Sequence, residues 1–253
     1  MQPILPLELA MLIDIPSMCF VGVSTIIPSA VTRGITRSQL LEGIRRIALP
    51  AGVTGTLIGF MMMLMNMSDP SAFAPAFRIA MLASWYGVAV YAITSWLLRK
   101  TNDYQLSGVV QPSILGSLFF ATGSLVFLFS YLNSSFIDLT SILFFVLGLP
   151  LIFIQRAKYP FSYRMLRGGI TVGLFGMMYG TVSLLSNMED PSTIGPAMAI
   201  SILSSLYANI VIIGTATQVP VELSGKQMRW QYLFWGANIG LLYTMAYVIT
   251  SLF

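Results

Sequence analysis

Apolar residues fill the chain in runs of about 20, the length a helix needs to cross the hydrocarbon core of a bilayer, with short polar stretches between them. The pattern predicts eight spans, at residues 14–32, 48–67, 72–98, 112–132, 138–156, 166–187, 193–217 and 230–253. The alternation that β-barrel strands require is missing, so the spans are helices and the fold is an all-α polytopic membrane protein. Ahead of them, residues 1–13 are apolar apart from Glu8 and are broken by Pro3 and Pro6. Lacking a basic leader, they read as an interfacial tail rather than a signal peptide. Connection 33–47 is the one loop long enough for an element of its own, and Ser38-Gln-Leu-Leu-Glu42 starts a short interfacial helix there.

One stretch occurs twice. Residues 52–94 and 173–215 align without a gap at an offset of 121, and 17 of 43 positions are identical. The matches fall on Gly, Pro, Asn, Asp and Tyr rather than on interchangeable aliphatics. They include Gly55 and Gly59 with Gly176 and Gly180, the turns Asn66-Met-Ser-Asp-Pro-Ser71 and Asn187-Met-Glu-Asp-Pro-Ser192, and Pro75 with Pro196. We read an internal duplication, with repeats at 1–111 and 112–253.

Composition narrows the class. At 253 residues, 56% hydrophobic, 9% charged and mean hydropathy +0.81, the chain has too little polar surface to coat a soluble globule. The pI of 9.3 would suit nucleic acid, but the bases are scattered through short loops, which sets that partner aside. Twelve of the 13 Lys and Arg residues fall in alternate loops, at 33–46, 99–100, 156–167 and 226–229, while the intervening loops hold acids and no base. Basic loops stay cytoplasmic, so both termini lie on the outer side of the membrane and the two four-span repeats are parallel. One cysteine, Cys19, and no histidine leave no disulfide framework or Cys- or His-based metal site, and nothing calls for a cofactor or an enzymatic nucleophile.

Candidate chemistry sits in the repeated stretch. Gly55, Gly59, Gly176 and Gly180 expose backbone for close helix packing. Asp69 and Asp190 lie at the hairpin mouths, as turn formers or as ion attractors. Pro75 and Pro196 kink spans three and seven and free a carbonyl. Ser84, Ser204, Ser205, Tyr86 and Tyr207 follow two to three turns deeper, where hydroxyls either hold a neighbouring helix or meet a partly dehydrated cation. Arg78 is the one charge well inside a span and needs a partner, the surface or a wet cavity. No Asp, Glu, Lys or His stands at mid-membrane, so the chain has no evident proton carrier of its own.

The hairpin Asn187-Met-Glu-Asp-Pro-Ser-Thr-Ile-Gly-Pro-Ala-Met-Ala199, continued to Ser204-Ser205-Leu-Tyr207, resembles the third-to-fourth helix hairpin of MotA/PomA. These are the A-type subunits of flagellar stators, related to TolQ and ExbB. Phe136-Ile-Asp-Leu-Thr-Ser-Ile142 resembles the start of that family's second helix. The resemblance implies a homo-oligomeric ring in the bacterial inner membrane around a B-type, single-helix subunit whose aspartate binds the transported H+ or Na+. It places Thr56 at the family's helix-three threonine, with Met177 in the second copy. Ser204 and Ser205 match the family's helix-four hydroxyl pair, with Ala83 and Ser84 in the first copy. The large cytoplasmic domain of flagellar A-subunits is missing: residues 156–167 leave about ten residues for it, as counted on the sequence. Two other readings stand beside this one. The first is a small-solute transporter of two parallel repeats in which Arg78 binds an anionic group, and the second is a non-conducting scaffold derived from the family.

Overall fold

The computed structural model describes residues 13–30, 36–66, 70–100, 138–148, 150, 159–187 and 191–252, and their regular structure is entirely helical. Seven α-helices are present among them: α1 Ile15–Ala30, α2 Arg37–Met65, α3 Pro70–Lys100, α4 Leu139–Gly148, α5 Phe161–Ser186, α6 Pro191–Ala216 and α7 Ser224–Leu252. Four are long and apolar enough to cross a membrane, namely α2, α3 from Pro75, α5, and α6 from Thr193. Helices α1 and α4 are shorter, with 16 and 10 residues, and α7 has 29. The expected fourth span, the hairpin-mouth Asp69 and Asp190, the tail at 1–12 and the boundary at 111/112 lie outside the described residues.

Local chemistry sets the ends. Asp14 Oδ2 accepts the Ser17 N–H at 2.9 Å, and Asp138 Oδ2 accepts the Ser141 N–H at 2.6 Å, so α1 and α4 begin on the same Asp-x-x-Ser cap. At the far ends of α2 and α5, Asn66 and Asn187 each turn their side-chain amide back onto a carbonyl of the last turn, Met62 at 2.8 Å and Ser183 at 2.7 Å. Both α3 and α6 then open on proline, whose missing N–H costs nothing at a first helical position.

One expectation fails. The short helix from Ser38 and the span from 48 are a single helix of 29 residues that runs through Pro50. A capping box starts it: Thr36 Oγ1 accepts from Gln39 N–H, and Gln39 Oε1 accepts from Thr36 N–H at 3.2 Å. Its charged first turns enter the bundle because they neutralise one another. Glu42 and Arg46 are both buried, the carboxylate receives Arg46 Nε at 2.9 Å, and Arg45 supplies two further bonds at 2.8 and 2.9 Å.

The core is built on two tight helix pairs. A Cβ on Gly59 would lie 2.8 Å from Ala80 Cα, and one on Gly52 would lie 3.0 Å from Gly87 Cα, so the backbones of α2 and α3 nearly touch. At the matched positions of α5 and α6, a Cβ on Gly180 would meet Ser201 N at 2.6 Å and one on Gly173 would meet Ala208 Cβ at 2.5 Å. Without a hydrophobic drive between helices in lipid, such proximity is what makes dispersion contacts sufficient. Helix α2 also packs on α6, and α7 lies along α5 and α2. Outward, Phe175, Met178, Val182 and Leu185 form an exposed apolar stripe on α5, the exterior that a bilayer demands.

Gly59→Val should lower the stability of the detergent-extracted protein by about 1–3 kcal/mol through overpacking. Gly236→Ala, inside α7 where a Cβ meets nothing within 4 Å, should raise the thermal midpoint slightly rather than lower it.

Candidate functional site

Each helix pair is tied where it is tightest by a single hydroxyl. Thr56 Oγ1 on α2 lies 2.7 Å from Ala80 O on α3, and Ser201 Oγ on α6 lies 3.0 Å from Met177 O on α5. Position 56 aligns with 177 and position 80 with 201, so the same crossing is bridged in both pairs, with the donor on opposite helices. In the first pair the hydroxyl network extends further, because Ser84 Oγ is 2.5 Å from Thr56 Oγ1. Thr56 Oγ1 also lies 3.0 Å from Gly52 O, and when its one proton serves either carbonyl, Ser84 donates to Thr56. The free lone pairs of Ser84 therefore remain to accept.

Ser84 and Thr56 form the polar floor of a groove of about 320 Å³ between α3 and α7. Met81, Trp85 and Val88 form its α3 wall, and Trp235, Ile239, Leu242 and Tyr243 form its α7 wall. Trp85 is 69% exposed. Arg78 is also exposed and sits one turn from Met81 on the same face of α3, so it lies on the groove face toward the N-terminal end of α3 rather than deep in a cavity.

Both tyrosine hydroxyls are bonded to main chain. Asp14 N–H donates to the Tyr86 hydroxyl at 2.9 Å, and the Asp138 main chain hydrogen-bonds the Tyr207 hydroxyl. Each tyrosine thus pins the capped start of a short outer helix, α1 or α4. They act as anchors, and neither is among the groove's lining residues. Pro75 and Pro196 are exposed in the second turn of α3 and α6, away from the buried hydroxyls.

The second pair places its serines inside the chain. Ser204 and Ser205 are both buried, Ser205 Oγ donates to Asn238 Oδ1 on α7, and Ser204 Oγ has no hydrogen-bond partner. Asn238 in turn donates to Phe234 O at 2.8 Å, and Asn209 donates to Ser205 O at 3.0 Å. Gly55, Gly59, Gly176 and Gly180 are packing positions, and all four are buried. Sequence reasoning missed Asn209, Asn238, Ser201 and the Glu42–Arg46 pair. It also missed the twin caps, whose Asp-x-x-Ser signal lies three residues off the main register and was open to inspection. Arg46 is 2% exposed and also donates to Val219 O at 2.6 Å, which ties α2 to the α6–α7 connection.

Among the described residues no group of three or more His, Cys, Asp or Glu side chains is placed to hold a metal. Comparison with known proteins finds short matches to a chemotaxis protein and to motility proteins. The chain is 50% identical over 40 residues to chemotaxis protein PomA of Vibrio alginolyticus, 16% of each chain. It is 44% identical over 43 residues to motility protein A of Cereibacter sphaeroides, 17% of each, and 37% identical over 57 residues to motility protein A of Aquifex aeolicus, 22% of each. The matched part spans about a sixth to a fifth of the length of these curated relatives. No family model matches the chain, and no solved structure does.

Tyr86→Phe and Tyr207→Phe should each cost about 1 kcal/mol by removing one acceptor from a helix start, and the two effects should add in the double variant. Glu42→Gln should cost about 3–5 kcal/mol because it strands the buried Arg46, and Glu42→Leu with Arg46→Met should cost less than that single change. Thermal midpoints in detergent check both.

Proposed function

We propose that this chain is an A-type subunit of a stator-like motor in the bacterial inner membrane, which surrounds a single-helix partner and couples H+ or Na+ flow to mechanical work. The observation that carries the reading is the Ser84–Thr56 hydroxyl pair. It faces an open groove in an otherwise apolar helix wall, with its accepting oxygens toward the space where a donor or a partly dehydrated cation would pass. The short matches to PomA and motility protein A support it. In this reading the chain has eight spans in two parallel repeats with both termini outside, assembles with further copies into a ring, and acts without enzymatic chemistry. The ion-binding carboxylate belongs to the partner. Twelve residues separate α4 from α5, too few for a rotor-contacting domain, so the mechanical output leaves through other contacts.

The test is to purify the complex through a tag on this chain from its native cell and measure ion flux in proteoliposomes. A companion polypeptide with one transmembrane helix bearing an aspartate is expected. Thr56→Val with Ser84→Ala should reduce flux at least tenfold, equal to about 1.4 kcal/mol at the limiting step, with the complex intact. Unchanged flux removes the site assignment. Solute uptake by this chain alone would instead establish the transporter, and flux from neither preparation would leave the scaffold.

A further inference from the structure

The charged first turns of α2 hold more positive charge than negative. Glu42 is one carboxylate for two guanidinium groups, and it accepts Arg45 Nε, Arg45 Nη2 and Arg46 Nε. Arg46 Nη1 donates to Val219 O at 2.6 Å, which leaves Nη2, a buried nitrogen with no hydrogen-bond partner. An unmet charged donor away from water is costly, and the surplus charge around it selects an acceptor that is itself anionic.

Arg46 lines a half-open cleft between the end of α1, at Ser29, the first turns of α2, at Glu42 and Gly43, and Thr217 just past α6. Its free space is about 10 Å³, room for a single oxygen atom. A whole phosphate is too large for the cleft. One of its oxygens fits, with the rest of the group held at the mouth.

Depth decides what can bring such an oxygen. The close approaches of Gly52 to Gly87 and of Gly59 to Ala80 set α2 and α3 antiparallel, so Glu42 stands level with Leu97. Beside that level Lys100 lies over the Trp96 ring at 5.5 Å, and at the same end of the bundle Arg167 lies over Trp230 at 4.9 Å. Aromatic rings joined to bases mark a membrane–water boundary, so the cleft opens at headgroup depth. From its rim Val23, Ile26 and Ile27, exposed at helical spacing on α1, lead toward the bilayer interior.

We propose that this cleft binds the headgroup of an anionic phospholipid. One phosphodiester oxygen accepts from Arg46 Nη2, and an acyl chain lies along Val23, Ile26 and Ile27. A zwitterionic lipid is selected against, because its choline would stand beside Arg45 and Arg46. Water would accept from Nη2 but would leave the surplus charge unanswered. The site goes beyond the motor reading and involves neither a partner chain nor ion flow.

The test is native mass spectrometry of the whole chain, released from detergent micelles that hold equal amounts of phosphatidylglycerol and phosphatidylcholine. The phosphatidylglycerol adduct should exceed the phosphatidylcholine adduct several-fold. Arg46→Lys keeps a cation for Glu42 without a second terminal nitrogen, and should bring the two adducts to parity. Gly43→Ala places a Cβ 3.0 Å from Ser29 Oγ, narrows the cleft without touching a charge, and should do the same; it carries the test if Arg46→Lys does not fold. Arg229→Gln removes an exposed base at the same end of the bundle and should leave the preference intact. Equal adducts on the unaltered chain, a preference retained in Arg46→Lys or Gly43→Ala, or one lost equally in Arg229→Gln overturns the site. Excess inorganic phosphate should not displace the lipid, and displacement would overturn the lipid assignment in favour of a free anion.

Discussion

Two helices approach to backbone contact at Gly59 and Ala80, and two more at Gly180 and Ser201, and the rest of the molecule is arranged around those crossings. In lipid, apolar side chains gain little by leaving one apolar neighbour for another, so a helix pair is held only if its surfaces fit without a gap. Glycine and alanine provide that fit, and a single hydroxyl-to-carbonyl bond fixes the rotation of one helix against the other. Once the rotation is set, Ser84 and Ser205 must face one way and Tyr86 and Tyr207 the other. The tyrosines then place the short helices α1 and α4, and the serines define the faces on which α7 or the groove is found.

That hierarchy explains what the sequence revealed. Glycine spacing, the turn at Asn66 and Asn187 and the prolines after it are local signals, each needing only its own few residues, so they could be read from one chain. The helix-holding alternative for Tyr86 and Tyr207 could not name its partners, because these come from Asp14 and Asp138, about 70 residues away, as counted on the sequence. In the sequence, connection 33–47 reads as a loop with a short interfacial helix, because Arg37, Glu42, Arg45 and Arg46 look solvated one by one. Only their mutual bonding, and the carbonyl of Val219, make a buried helix of them. Ser204 and Ser205 are prominent in the sequence as a hydroxyl pair, yet whether such a pair faces a pore or a helix is decided by Asn238, on an element with weak local signals.

The two matched stretches share the residues that shape each hairpin and differ at several positions that meet other helices. Gly, Pro and Asn positions that shape each hairpin are identical. Val88 lines the groove whereas Asn209 shares a small cavity with α2 and α7, and Thr56 lines the groove whereas Met177 is buried in the core. Swapping the bridging hydroxyl from Thr56 to Ser201 keeps the bond while freeing position 177 to be apolar against its new surroundings.

The bond from Arg46 to Val219 O joins residues 173 apart. During synthesis at roughly 5–20 residues per second, on the order of ten to thirty seconds pass between the two ends of that contact. Until then the guanidinium has Glu42 beside it and no main-chain acceptor, a poor state in which to leave water. The lower half of α2 therefore completes its descent into the bundle only after α6 has been made, which couples the assembly of the first half of the chain to the delivery of the second.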